Sequence, residues 1–67
     1  MNDEALKAAV GQFLKYVTGT AQSELEKAVR KAIASGKLRA NEPCSTGVTL
    51  SIEKAGMDVT IYGNIKL

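Results

Sequence analysis

The residues of this chain with the clearest chemical potential are cations clustered in residues 27–39, a stretch that contains no acid. They are Lys27, Arg30, Lys31, Lys37 and Arg39, here called the basic face. Ammonium and guanidinium groups exposed together can bind phosphate oxygens, so the basic face is a candidate site for nucleic acid or another anionic partner. A simpler explanation is that Glu24 with Lys27, and Glu26 with Arg30, form ion pairs along a solvated helix. Both interpretations stay open at this point.

The other polar residues give little support for catalysis. The chain has no histidine, the commonest general base, and Cys44 therefore lacks an imidazole that would generate a thiolate. Its glycines form neither a G-x-G-x-x-G nor a Walker pattern, and its composition excludes a histidine–cysteine zinc site. We therefore expect a protein that is not an enzyme and uses no metal and no cofactor.

Composition and charge indicate an ordinary small domain. The 67 residues are 45% hydrophobic and 24% charged, with a net charge of +2. No apolar run approaches the ~18 residues that a membrane span needs, and the opening residues MNDEALK lack the cationic start of a signal peptide. The lone Cys44 cannot form an internal disulfide, and a free thiol fits a reducing compartment. From these three observations together we expect a cytoplasmic protein with no membrane partner.

Two amphipathic helices are predicted to position the basic face. The first covers about residues 3–18, where apolar residues recur at helical spacing: Leu6, Ala9, Val10, Phe13, Leu14 and Val17. Gly19 is expected to end it, and Thr20 to cap a second helix over about residues 21–35. Ser23 with Glu26 offers a competing capping box. Gly36 is expected to end the second helix. Gly11, on the flank of the apolar stripe, is expected to admit a close approach by a neighbouring element.

After Gly47 the apolar period changes from that of a helix to that of a strand. Alternating residues predict strands over about 48–53 and 58–66, joined by a turn at 54–56 into an antiparallel hairpin. Residues 37–40 are a candidate for a short third strand. The predicted fold class is α+β: one domain, residues 1–67, in which two N-terminal helices pack on a C-terminal antiparallel β-hairpin.

At this point the segments SELEKAVRKAIASGKL, VTLSIE and GNIKL resemble a family of very small bacterial proteins of unknown function, about the length of this chain. The resemblance covers nearly the whole chain and lies in the patterning of helices and strands. The PCSTG segment departs from the family pattern, which weakens any role for Cys44. The resemblance implies a helices-plus-hairpin domain and no activity, so it transfers no functional residue.

Two functions fit these observations. The first is a structural or protein-interaction module that binds a second copy of itself, as a homodimer, or another protein, because small domains often gain stability by associating. Its candidate self-association edge is Ile61, Ile65 and Leu67 on the last strand, which has no proline to block pairing. A dimer could instead bury leftover helix surface such as Tyr16 and Ala8. The alternative is weak nucleic-acid binding through the basic face, in an arrangement like a helix–turn–helix around Gly19. Glu24 and Glu26 would then lie where phosphate must approach, which favours the first function.

Overall fold

The computed structural model describes all 67 residues. Helix α1 spans Asp3–Ala34, strand β1 Cys44–Ile52 and strand β2 Met57–Ile65, with a single 3₁₀ turn at Glu53–Ala55 between the strands. The two strands form an antiparallel sheet of their own. The architecture is therefore one long helix followed by one hairpin, and not the predicted two helices packed on a hairpin.

The prediction of two helices over residues 3–18 and 21–35 is wrong, because α1 passes through Gly19 and Thr20 without a break. A glycine inside a helix costs ~1 kcal/mol relative to alanine. Ending the helix there would instead leave up to about four N–H and four C=O groups without intrahelical partners. Half-buried positions also keep a four-residue spacing across Gly19, at Val17, Ala21 and Leu25. The apolar stripe therefore continues in phase, as it does in one helix.

Both ends of α1 carry local signals, a cap at its start and a stop at its end. The Asn2 side chain accepts the Glu4 N–H at 2.9 Å and so caps the first turn. At the other end Gly36 has a φ of 78°, and the Lys37 N–H donates to the Ala32 carbonyl at 2.9 Å. This is a Schellman arrangement, in which glycine relieves the strain of the left-handed conformation. The predicted stop at Gly36 is confirmed.

The predicted hairpin is confirmed, and its strands are displaced from the expected bounds. The register pairs Val48 with Ile61 and Leu50 with Val59, which puts the apolar residues of both strands on one face. Strand β1 begins four residues earlier than predicted because Cys44 pairs with Ile65 at the far end of β2.

The third strand considered for residues 37–40 does not form, and the sheet has two strands. Backbone groups in this segment have other partners. The Leu38 N–H donates to the Ala32 carbonyl at 3.3 Å, and the Arg39 N–H donates to the Glu42 carboxylate at 2.7 Å. The Glu42 N–H returns a bond to the Arg39 carbonyl at 3.2 Å, which closes a turn. These bonds use donors that a strand ladder would need.

The expected packing of helix on hairpin is incomplete. No residue of the chain is buried. The radius of gyration is 15.7 Å and the molecule measures 50 × 21 × 16 Å, whereas a compact domain of this length has a radius of gyration of ~11 Å. The close approach expected at Gly11 is also absent, since no atom lies within 4 Å of the place where a Cβ would stand. Helix and hairpin lie side by side without enclosing a core.

Candidate functional site

An open groove of about 870 Å³, lined mainly by apolar side chains, runs between α1 and the hairpin. We call it the apolar groove. Its helix wall extends from Leu14 to Ile33, and five of the wall's apolar residues recur at four-residue spacing: Val17, Ala21, Leu25, Val29 and Ile33. These five side chains are half-buried.

The sheet wall of the apolar groove contains all three residues of the predicted self-association edge. Ile61, Ile65 and Leu67 line it together with Val48 and Leu50. Ile61 and Leu67 remain 57% and 68% exposed. The three residues were predicted as a strand edge. In the structure their side chains also form part of the apolar face of the hairpin. The outer backbone edges of β1 and β2 are both unpaired, since the sheet has two strands.

A second apolar surface lies on the N-terminal part of α1. Leu6, Val10 and Phe13 are 44%, 48% and 59% exposed, and none of them lines the apolar groove. We call these three residues the N-terminal stripe. The helix presents them to solvent because the hairpin does not extend over this part of α1. Sequence reasoning assigned them to a core.

The residues of the basic face are all exposed. Arg30 Nη2 lies 3.6 Å from Glu26 Oε1, which confirms that predicted pair, whereas Glu24 and Lys27 form no salt bridge. Lys27 and Arg30 border a shallow polar depression on the outside of α1. Because α1 is continuous, the turn that a helix–turn–helix arrangement requires is absent.

Other chemistry-bearing residues do not converge. Cys44 is a half-buried free thiol at the start of β1, with Sγ 3.8 Å from the Ser45 carbonyl oxygen. No group of three or more carboxylate, thiol or imidazole side chains is arranged to hold a metal ion. The 32 residues of α1 are too polar to cross a lipid bilayer.

Sequence reasoning missed the helix wall of the apolar groove as an interaction surface. Val29 and Ile33 were expected to lie on a separate second helix and to cover the hairpin. The signal that could have identified the continuous wall is the unbroken phase of the apolar stripe from Leu14 to Ile33, which favours one helix.

A family model described as a family of unknown function, DUF6494, matches residues 1–67, and the chain belongs to that family. This confirms the resemblance seen in the sequence. Searches of curated proteins and of solved structures gave no match.

Proposed function

We propose that this member of the DUF6494 family is a non-enzymatic structural or protein-interaction module that functions as a self-associated assembly, a homodimer in the simplest case. The observation that carries the proposal is that no residue of the single chain is buried. Isolated two-stranded hairpins are marginal in water, and most helical stability in proteins comes from packing of an apolar face. The hairpin and α1 therefore both need cover beyond what one chain provides.

The exposed area supports a second copy as the cover. The chain has an accessible surface of 5954 Å², whereas a compact monomer of 7.1 kDa exposes ~4,100 Å². The excess is ~1,900 Å² per chain, and obligate homodimers bury about 2,000–5,000 Å² over both partners. One dimer interface of ordinary obligate size would remove this excess.

Nucleic-acid binding through the basic face is the alternative. It has in its favour that four of the five cations have no ion pair in the structure. Against it, Glu26 lies beside Arg30, and Lys31 in the last turn of α1 is accounted for by the helix dipole. The absence of a turn at Gly19 also removes the geometry on which this interpretation depended. Self-association uses more of the observed surface.

A cytoplasmic location is part of the proposal. It is supported by the single free thiol of Cys44, since oxidising compartments favour paired cysteines.

The test of self-association is the molar mass from light scattering over a concentration series, combined with thermal unfolding followed by circular dichroism. We expect a dimer whose melting temperature rises with concentration, because association stabilises the folded chain by mass action. A monomer that melts cooperatively at a concentration-independent temperature would overturn the proposal.

Ile65→Lys is predicted to shift the assembly to monomer, since it places a charge in the sheet wall of the apolar groove. Asn64→Lys is the matched control, because Asn64 is the adjacent residue on the opposite, solvated face of β2. Light scattering should show dissociation for the first variant only. If both variants remain dimeric, or both become monomeric, the apolar groove is not the interface.

A further inference from the structure

We infer, on the basis of the proposed self-association, that the apolar groove is filled by the N-terminal half of α1 from a second copy, with the two helices antiparallel around Val17. Each chain would then insert its N-terminal stripe between the helix and the hairpin of its partner. The arrangement is a symmetric dimer with two equivalent grooves, as a two-fold axis requires.

The N-terminal half of α1 is available to a partner because α1 is longer than the groove. The helix has 32 residues and so spans ~48 Å, but the groove-lining residues begin only at Leu14. Residues 3–13 therefore project ~16 Å beyond the groove with their apolar side uncovered. A segment that is apolar on one side and free of its own hairpin is available to a partner.

Side-chain sizes fit an antiparallel register centred on Val17. In that register Phe13 faces Ala21, which lines the groove of the other copy, and Leu6 lies level with Ala28, just outside the groove lining. Two large side chains of the N-terminal stripe thus meet small ones, as when the ridges of one helix fill the grooves of another, while Val10 lies level with Glu24. Val17, half-buried in the single chain, meets its own copy at the axis.

Charge gives the direction of the pairing. Asp3 and Glu4 begin α1 and have no ion pair within the chain, whereas Arg30 and Lys31 lie near its end. The register centred on Val17 places Asp3 opposite Lys31. A parallel pair would place the acidic ends together and the basic ends together. Exposed pairs contribute little affinity, so their role is to select the orientation.

Pairing of β2 edges is the other way to build a dimer. It would satisfy the free backbone groups of β2, but it leaves the N-terminal stripe and the helix wall of the apolar groove exposed. Antiparallel helices cover both apolar surfaces at once, and we therefore prefer them.

The test is intermolecular paramagnetic broadening. A nitroxide is attached at Ala5→Cys in a Cys44→Ser background, because Ala5 is exposed and lies off the apolar side of α1. The spin-labelled protein, which has natural-abundance nitrogen, is refolded together with ¹⁵N-labelled Cys44→Ser protein that carries no nitroxide. We expect the amide signals of residues 28–34 in the ¹⁵N chain to lose most of their intensity, and to recover when the nitroxide is reduced. A reciprocal label at Ala34→Cys should broaden the amides near the start of α1.

Each other outcome overturns the inference, and the outcomes separate it from the proposed function. Broadening of residues 3–9 by the label at position 5 would show parallel helices. A dimer by light scattering with no broadening in α1 would show a hairpin-edge dimer, and self-association would stand without this geometry. A monomeric Cys44→Ser protein, matched by a monomeric natural sequence, would overturn self-association itself.

Discussion

Gly19 lies inside α1 with no atom within 4 Å of where a Cβ would stand, whereas Gly36 follows the helix with a φ of 78°. No neighbouring atom requires a glycine at position 19, since a Cβ there would meet open space. This first glycine only raises the entropy that the chain loses on folding. The second occupies a conformation that L-residues adopt at a cost, and its N–H completes the helix end through the Ile33 carbonyl at 3.1 Å. The same residue type thus has opposite effects at two positions.

Gly19→Ala is predicted to stabilise the protein by ~1 kcal/mol, because alanine is the better residue in a continuous helix. Gly36→Ala is the control and should destabilise it by ~1 kcal/mol, because alanine is strained at positive φ. Chemical unfolding followed by circular dichroism measures both changes at one protein concentration. Destabilisation by Gly19→Ala would indicate a turn at position 19, in contradiction to the long helix.

At the scale of elements, the two faces of the hairpin differ in whether their side chains suit contact with water. On the polar face the Tyr62 ring lies over Gly47, about where its side chain would be, with ring carbons 3.1 Å from the ideal Cβ position. Thr49 and Thr60 share a hydrogen bond between their hydroxyl oxygens at 3.0 Å. Such cross-strand pairs stabilise a sheet locally. The apolar face also has cross-strand pairs, such as Val48 with Ile61, but these side chains remain 36% and 57% exposed to water, which makes it the face that needs a partner.

The helix is asymmetric in the same way. Its first third carries the N-terminal stripe beyond the hairpin, and its remainder forms one wall of the apolar groove. An amphipathic helix of this length is normally covered along its whole apolar side. In α1 the uncovered part is the part that the proposed partner helix would meet.

Phe13→Glu is predicted to dissociate the dimer, because it buries a charge against Ala21 of the other copy. Tyr16→Glu is its matched control, since it also replaces an aromatic side chain of α1 by glutamate, at a position 73% exposed and outside the groove. Sedimentation equilibrium should show at least a tenfold weaker association, ~1.4 kcal/mol, for Phe13→Glu and little change for Tyr16→Glu. Equal weakening by both variants would mean that the N-terminal stripe has no special part in the interface.

At the scale of the whole molecule, folding and association are expected to be linked. A chain with a radius of gyration of 15.7 Å and no buried residue has little tertiary structure to lose as a monomer. Dilution should therefore reduce structure as well as mass, as in obligate homodimers.

Salt distinguishes the two functions at this scale. An apolar interface should persist in high salt, because screening affects only its exposed ion pairs. Neutralising Lys27, Arg30 and Lys31 together to glutamine should likewise leave the dimer largely intact in light-scattering measurements. If the basic face bound nucleic acid, affinity for short DNA or RNA in fluorescence anisotropy would fall steeply with salt and disappear in this variant. Salt-sensitive binding of that kind would revive the alternative.

The sequence by itself determined the parts of this protein that depend on neighbouring residues. The stop at Gly36, the Glu26–Arg30 pair and the hairpin with its apolar face all follow from short-range patterns. Whether Gly19 broke the helix could not be read from the glycine and its neighbours alone. The balance depends on whether the apolar stripe keeps its phase across Gly19 and on whether a second helix has a surface to return to. The same holds for the third strand, whose donors were taken up by the helix end and a turn.

Only the tertiary structure decided where the apolar residues lie relative to one another. The sequence identified Ile61, Ile65 and Leu67 as an exposed edge but treated the helical stripes as the cover for the hairpin. The structure places all three beside Val29 and Ile33 in one open groove and leaves the N-terminal stripe beyond it. The physical reason is that a continuous helix of ~48 Å cannot fold back on itself, so one chain cannot enclose its own apolar surface.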